Sequence, residues 1–245
     1  MTEVFSLALK DFFTKKFLKF SLVPLILSFF LFVILAYFAF NFLFEYFDAL
    51  FANAEEGSFL AWLYSFAIFQ FILALLGIMS ASFLVVFASV FFAILVVSFL
   101  TPFICKEINA KYYQHELKDE VSFFKALFKM LVIFVKFLLL FGCACLLYLV
   151  PFVNLFVFYL VFYYLFHKLL ILDVASSMLN DNEFKAFYAK SSPLEFKLST
   201  LVFYLISSVP LAGLFLQVFF VIFLTHLFYQ KVLGLKANLS PIKEH

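Results

Sequence analysis

The stretch "LLYLVPFVNLFVFYLVFYYLF", residues 146–166, decides how this chain meets a membrane. It is too apolar for a soluble loop, yet Pro151 and Asn154 sit inside it. A proline removes a backbone donor and clashes with the preceding turn, and lipid offers no water to replace the lost bond. The run is therefore expected to break at Pro151 rather than cross as one straight helix.

Composition sets the frame. The 245 residues are 67% hydrophobic and include 44 Phe. Soluble domains are roughly 45–50% apolar, so this surplus has to face lipid. The N-terminal "MTEVFSLALKDFFTKKFLKF" has no small-residue cleavage site, and the apolar run after it is too long for a signal peptide. It reads as part of the mature protein.

Four charge-free stretches follow, at 20–44, 59–105, 137–166 and 198–230. A crossing helix needs about 20 apolar residues. The first stretch meets that in a single pass. The second holds 47 residues, which is one overhanging helix or a pair turning near Gly77–Ser82.

Charge decides between these. All 17 basic residues are lysine. Lys10, Lys15, Lys16 and Lys19 precede the first stretch, while Glu45–Ser58 carries four acids and no lysine. The positive-inside rule puts the N-terminus in the cytoplasm and the acidic segment outside. The six lysines of 106–136 return the chain inside, so an odd number of crossings lies between, and one long helix fits.

The same count bears on residues 146–166. If 137–166 enters and returns, the lysines of 167–197 and of 231–245 stay inside with all the others. Pro151 divides that stretch into arms of 14 and 15 residues, the length of re-entrant segments. "VPFVNLF" at Val150–Phe156 is echoed by "VPLAGLF" at Val209–Phe215. Paired broken helices point to transporter sites. Two hairpins are expected, with Pro151, Pro210 and Gly213 at their tips.

The fold class expected is an all-α integral membrane protein with two long transmembrane helices and two Pro-broken, partly penetrating hairpins. It forms a single domain over 1–245, with 1–19, 106–136, 167–197 and 231–245 as cytoplasmic polar segments. Leu117–Lys136 reads as a helix leading into the membrane. Lys118, Lys125, Lys129 and Lys136 make one stripe on it, set against anionic headgroups, with Phe124, Leu127, Phe128 and Leu131 facing inward. Asn180–Lys197 contains a short helix ending before Pro193.

Enzyme signatures are missing: there is no Gly-rich phosphate loop, H-E-x-x-H, G-x-S-x-G or spaced Cys/His set. No catalytic activity, cofactor, metal or nucleic-acid partner is expected. Cys105, Cys143 and Cys145 read as buried small side chains. His115, His167, His226 and His245 are scattered and read as solvated. Asp173 closes the apolar "LLIL" and marks either the water boundary or an ion pathway.

The order of features resembles the CysZ-type sulfate permeases within the etoposide-induced 2.4 family. The resemblance runs from about Leu9 to Lys231. It rests on "SLVPLIL" with Pro24, "TPFICKEINAKYY" from Thr101, "YLVPFVN" with "LILD", and "SSVPLAGLF". It implies a bacterial inner-membrane protein that passes sulfate inward for cysteine synthesis, with two long helices, two half-penetrating hairpins and homo-oligomeric assembly.

Two departures stand out. Where the family carries a Gly-hydrophobic-Arg-Arg run, this chain has "KFLKFSLVP", with Lys16 at the glycine, Leu18 at the first arginine and Lys19 at the second. An ammonium lacks the planar fork of a guanidinium. The small residues usual in the last helix give way to "FLTHLF", Phe223–Phe228. The anion-binding residues expected are Lys16, Lys19, Asn154, Ser207 and Ser208, around helix N-termini broken at the prolines. The alternative is a non-transporting membrane scaffold or assembly factor with the same fold, its lysines on lipid or a partner.

Overall fold

The computed structural model describes residues 1–52, 59–72, 74–75, 77, 98–116, 121–147, 154–190 and 192–238. Among them the regular structure is helical. The elements are α1 (Thr2–Phe12), α2 (Lys15–Ala52), α3 (Phe59–Tyr64), α4 (98–108), α5 (Phe123–Leu147), α6 (Asn154–Met178), α7 (Asp181–Ala189), α8 (Leu194–Ser207) and α9 (Pro210–Lys231). Three are long and apolar enough to cross a bilayer: Lys15–Phe42 of α2, Phe123–Leu147 and Phe156–Met178. The chain forms two compact units, one of residues 1–21 with 96–245 and one of residues 22–95.

In the smaller unit α2 continues past the apolar stretch to Ala52, so the first acids of the expected outer segment, Glu45 and Asp48, are helical. Pro24 lies inside α2, and the Ser28 hydroxyl donates to its carbonyl at 2.5 Å. The expected uninterrupted helix from residue 59 is broken early. α3 stops at Tyr64, and helix resumes only at residue 67. Ser65 Oγ donates to the Trp62 carbonyl at 2.6 Å, and Gln70 Nε2 to the Tyr64 carbonyl at 2.8 Å. Two polar side chains thus satisfy carbonyls that the break would leave bare in an apolar segment. Residues 78–97, including most of the Gly77–Ser82 segment, lie outside the described residues.

The larger unit is built around α9. From Val218 to Tyr229 every residue of α9 is buried. Phe228 meets Phe187 of α7 at 5.1 Å and Phe196 of α8 at 4.7 Å, while Phe220 stacks on Phe203 of α8 at 4.3 Å. The pairs 203 with 220 and 196 with 228 set α8 and α9 antiparallel. In the same way Phe141 meets Phe158 at 5.5 Å and Phe137 meets Phe162 at 5.7 Å, which sets α5 antiparallel to α6. The connection with Pro151 lies outside the described residues.

α7 begins at a capping box, with Asn180 accepting from the Glu183 N–H and Glu183 from the Asn180 N–H. It ends before Pro193, as expected, and Pro193 is the residue before α8. α9 ends at Lys231, and three residues on Gly234 takes φ 65° as Leu235 N–H reaches back to the Tyr229 carbonyl at 2.9 Å. A positive φ of this kind favours glycine, which has no Cβ to clash.

On α5 Lys125 and Lys136 are exposed, and two lysines of the stripe have partners on α7. Lys125 pairs with Asp181 at 2.8 Å, and the Lys129 ammonium lies 4.5 Å from the Tyr188 ring centre, both on α7. Phe124, Phe128 and Leu131, expected to face inward, are exposed, and Ile133 and Phe137 are buried instead. An outer face of Phe and Leu suits lipid, and the lysines gain a carboxylate and an aromatic face. Cys105 is buried, but Cys143 and Cys145 are exposed. Residues i and i+2 flank Ala144, which takes the buried position in the packing against α6.

Candidate functional site: a buried polar centre and the ends of the broken helices

The side chain of Asp11 on α1 is fully buried, and three donors reach it. Lys111 Nζ lies 2.6 Å and Tyr112 OH 2.8 Å from Oδ1, and His226 Nε2 lies 3.0 Å from Oδ2. Tyr113 OH stands 2.9 Å from His226 Nδ1. Since Asp11 accepts from Nε2–H, a neutral His226 accepts from Tyr113 at Nδ1. Gln230 Nε2 in turn donates to Tyr113 OH at 3.5 Å.

Backbone geometry makes this convergence. α4 runs into a π-helical turn, Asn109–Tyr113, closed by Gln114 at φ 49° and by the Asn109 side chain, which pairs with the His115 backbone at 2.8 and 2.9 Å. The wide turn delivers Lys111, Tyr112 and Tyr113 to one centre; π turns often mark functional positions. The segment after α9 closes over it, with Asn238 N–H donating to the Tyr112 carbonyl at 2.9 Å.

Burial pushes the Asp11 carboxyl up, but hydrogen bonds from His226, Lys111 and Tyr112, with the Lys111 charge, outweigh it and hold it below the usual carboxylate value. Burial works against the Lys111 ammonium, and its bonds to Asp11 and Tyr112 outweigh that, so its pKa is raised. Burial lifts the Tyr113 phenol to about 12. The centre is thus an ion pair with Tyr112, His226, Tyr113 and Gln230 hydrogen-bonded around it.

Asp173 of α6 is held by hydroxyls. Thr101 Oγ1 of α4 donates to its Oδ2 at 2.7 Å, and the Ser98 side chain also bonds it. Its backbone carbonyl accepts from Ser176 at 3.1 Å and from Ser177 at 2.9 Å. The residue is half-buried between α4 and α6.

At the second broken helix, Pro210 is the first residue of α9, where its missing N–H costs nothing. A Cβ on Gly213 would sit 2.7 Å from Ser207 Cα, so the two helices meet at backbone distance. Ser207 Oγ is buried with no hydrogen-bond partner among the described residues, and Ser208 Oγ donates to the Tyr204 carbonyl at 3.2 Å. Pro151 lies outside the described residues, and Asn154 is the first residue of α6.

The lysines at the start of α2 differ from each other. Lys16 pairs with Glu107 of α4 at 2.6 Å, so its charge is matched, while Lys19 is exposed. The Ser21 hydroxyl donates to the Phe215 carbonyl and ties the start of α2 to the first turns of α9.

Against known families, the sequence profile described as "Sulfate transporter CysZ/Etoposide-induced protein 2.4" matches residues 4–217. The chain belongs to this family. No curated protein and no solved structure matches it. Two features carrying the CysZ/etoposide-induced 2.4 resemblance in the sequence, the Thr-Pro-Phe of α4 and Asp173 of α6, are bonded to each other through Thr101. "FLTHLF", which departs from that family's usual last helix, is wholly buried, with Thr225 Oγ1 3.3 Å from Cys105 Sγ and His226 on Asp11.

His226 and His167, read as solvated, are both buried. Asp11 gave no warning among the lysines of its segment. The one signal was position: Asp11 falls in register with Val4, Leu7 and Ala8 on the apolar face of α1, where a charge needs a partner.

Proposed function

We propose that this chain is an anion permease of the sulfate class, passing the ion inward across a bacterial inner membrane toward cysteine synthesis. Membership of the CysZ/etoposide-induced 2.4 family, which includes sulfate transporters, carries this reading. No catalytic step belongs to it; the chain lowers the barrier to moving a hydrated anion through lipid.

In this reading α5–α6 and α8–α9 are hairpins that enter from the cytoplasm and return. Beyond Lys136, α5 has only Phe137–Leu147 left. Eleven helical residues reach about 16 Å, roughly half of a 30 Å hydrocarbon core. Between Lys197 and Ser208, α8 has a similar span. The tips at Pro151 and Pro210 then lie at mid-depth, where unpaired N–H groups at the α6 and α9 N-termini face the anion. Asn154 and Ser207 donate beside them, Ser208 does so on releasing the Tyr204 carbonyl, Gly213 lets α9 approach Ser207, and Asp173 stands on the pathway. Lys16 and Lys19 concentrate anions at the cytoplasmic mouth. Homo-oligomeric packing closes the lipid-exposed faces around a path.

The test is uptake of labelled sulfate into proteoliposomes. Saturable uptake that excess unlabelled sulfate suppresses, and that K19A slows, is expected. Uptake unaffected by unlabelled sulfate overturns the reading.

One observation favours a second reading, a non-transporting scaffold. Lys16 is ion-paired with Glu107 and so offers less charge to a free anion. Under that reading a deletion strain grows on sulfate without added cysteine.

A further inference from the structure

Helix α1 divides its circumference between three surroundings. Val4, Leu7, Ala8, Asp11 and Phe12 are buried, and Phe12 meets Phe215 of α9 at 5.3 Å and Phe219 at 5.7 Å. The bonds that Asp11 accepts from Lys111, Tyr112 and His226 fix this face against the π turn and α9. A second face carries Phe5, Leu9 and Phe13, which are 51%, 40% and 62% exposed. Positions four apart drift by only about 40° around a helix. The Phe13 N–H still bonds the Leu9 carbonyl at 3.3 Å, so the three side chains form one stripe. The third face, with Glu3, Ser6 and Lys10, is polar and exposed.

A row of large apolar side chains, on a helix that already buries another face, calls for a second apolar medium. Chain connectivity identifies that medium. Only Phe13 and Thr14 separate α1 from Lys15, where the first helix of spanning length begins. Three residue steps reach at most about 11 Å, so α1 stays at the level where α2 enters the bilayer. The Thr14 hydroxyl closes the link by donating to the Asp11 carbonyl at 2.7 Å. A helix held there, apolar on one side and polar on the other, lies in the membrane interface with its stripe among the acyl chains.

Charge identifies the lipid. Lys10 and Lys15 are exposed and make no ion pair among the described residues, while Asp11 beside them is already matched by Lys111. Two ammonium groups on either side of Phe13 suit anionic headgroups.

We infer that α1 is an interfacial helix whose stripe of Phe5, Leu9 and Phe13 is covered by the acyl chains of an anionic lipid surface, with Lys10 and Lys15 on its headgroups. The inference holds whether or not the chain carries sulfate, and it draws on none of the residues assigned to the anion path.

The experiment uses the full chain reconstituted into phosphatidylcholine bilayers. C143A/C145A serves as the background, since Cys105 is buried. Single cysteines in E3C, F5C, S6C, L9C and F13C carry a bimane fluorophore, and all five positions are exposed. Nitroxide-labelled lipid quenches from the bilayer and iodide quenches from water. Lipid should quench more than iodide in F5C, L9C and F13C, and iodide more than lipid in E3C and S6C.

In F13C, traces of nitroxide-labelled phosphatidylglycerol should quench about twofold or more over labelled phosphatidylcholine. Adding K10Q/K15Q should make the two lipids equal, and adding K185Q should leave their difference in place. Iodide quenching in F5C, L9C and F13C as strong as in E3C puts the stripe in water and overturns the inference. Protection from both quenchers means that a second copy of the chain covers the stripe, which overturns it as well. Equal quenching by the two lipids in F13C overturns the anionic partner.

Discussion

Single residues in this chain do their work by being the one side chain the packing allows. Gly213 is the clearest case, because a Cβ there meets backbone, Ser207 Cα at 2.7 Å and Ser207 O at 3.1 Å. Backbone cannot rotate away as a side-chain tip does, so G213A has to push α8 from α9. Overpacking of this kind costs about 1–3 kcal/mol. A lower unfolding midpoint in mild detergent is expected, and a midpoint equal to the parent's shows that the helices are not this close. Asp11 is the other case. D11A leaves the half-exposed Lys111 ammonium without its carboxylate and Tyr112 and His226 without their acceptor, at a cost of about 1–3 kcal/mol for buried donors left unmade. Removing both charges in D11A/K111M should recover part of that loss, and no recovery means that Lys111 is not the partner that matters. Gly213 could be singled out in the sequence because it stands in the "VPLAGLF" echo. Asp11 could not, because its partners lie 100 and 215 residues away and a π turn brings two of them in.

At the scale of elements, the polar centre fastens α1 to α4 and α9, and its charges set when that fastening holds. The Asp11 pKa is lowered from 3.8, so its contribution is fully present above 3.8 and is lost as pH falls through the folded value. The Lys111 pKa is raised from 10.5, so its contribution is fully present below 10.5 and is lost as pH rises through the folded value. The pair therefore holds α1 across the whole neutral range. The stability difference between the parent and D11N should be constant at neutral pH and shrink once pH falls below 3.8, read by thermal unfolding at a series of pH values. A difference that persists unchanged in strong acid removes Asp11 as the titrating group. Helical periodicity anticipated a helix carrying Lys125, Lys129 and Lys136 but not that its Phe124, Phe128 and Leu131 are exposed. In water, lysines face out and phenylalanines face in. Against lipid, Phe124 and Phe128 lose nothing by facing out, and Lys125 gains Asp181 by facing the protein. Periodicity alone carries no sign for which solvent lies outside.

For the whole molecule, the apolar surplus was enough to identify a helical membrane protein, and Pro210 was enough to mark the break between α8 and α9. How far the later helices penetrate is a separate matter. α5 has 25 residues and α6 has 25, each long enough to cross in full, yet α5 carries Lys125, Lys129 and Lys136 in its first 14 positions. A lysine at mid-bilayer costs about 2.5–3.5 kcal/mol, so the lysine-bearing half of α5 belongs near the headgroups and only the remainder enters lipid. Under the proposed hairpins all 17 lysines share one side and the acids of 45–58 share the other. Labelling single cysteines with a membrane-impermeant maleimide, in a parent freed of Cys105, Cys143 and Cys145, separates the possibilities. K10C, K185C and K236C should react only from the cytoplasmic side, and E55C only from the outer side. A cysteine at the α5–α6 connection distinguishes depth: at 152 it resists reagent from the outer face if the hairpin stops half-way, and reacts from that face if α5 and α6 cross completely. Reaction of K185C from the outer face would separate it from K10C, break the single-sided lysine distribution and leave α5 and α6 with one crossing between them.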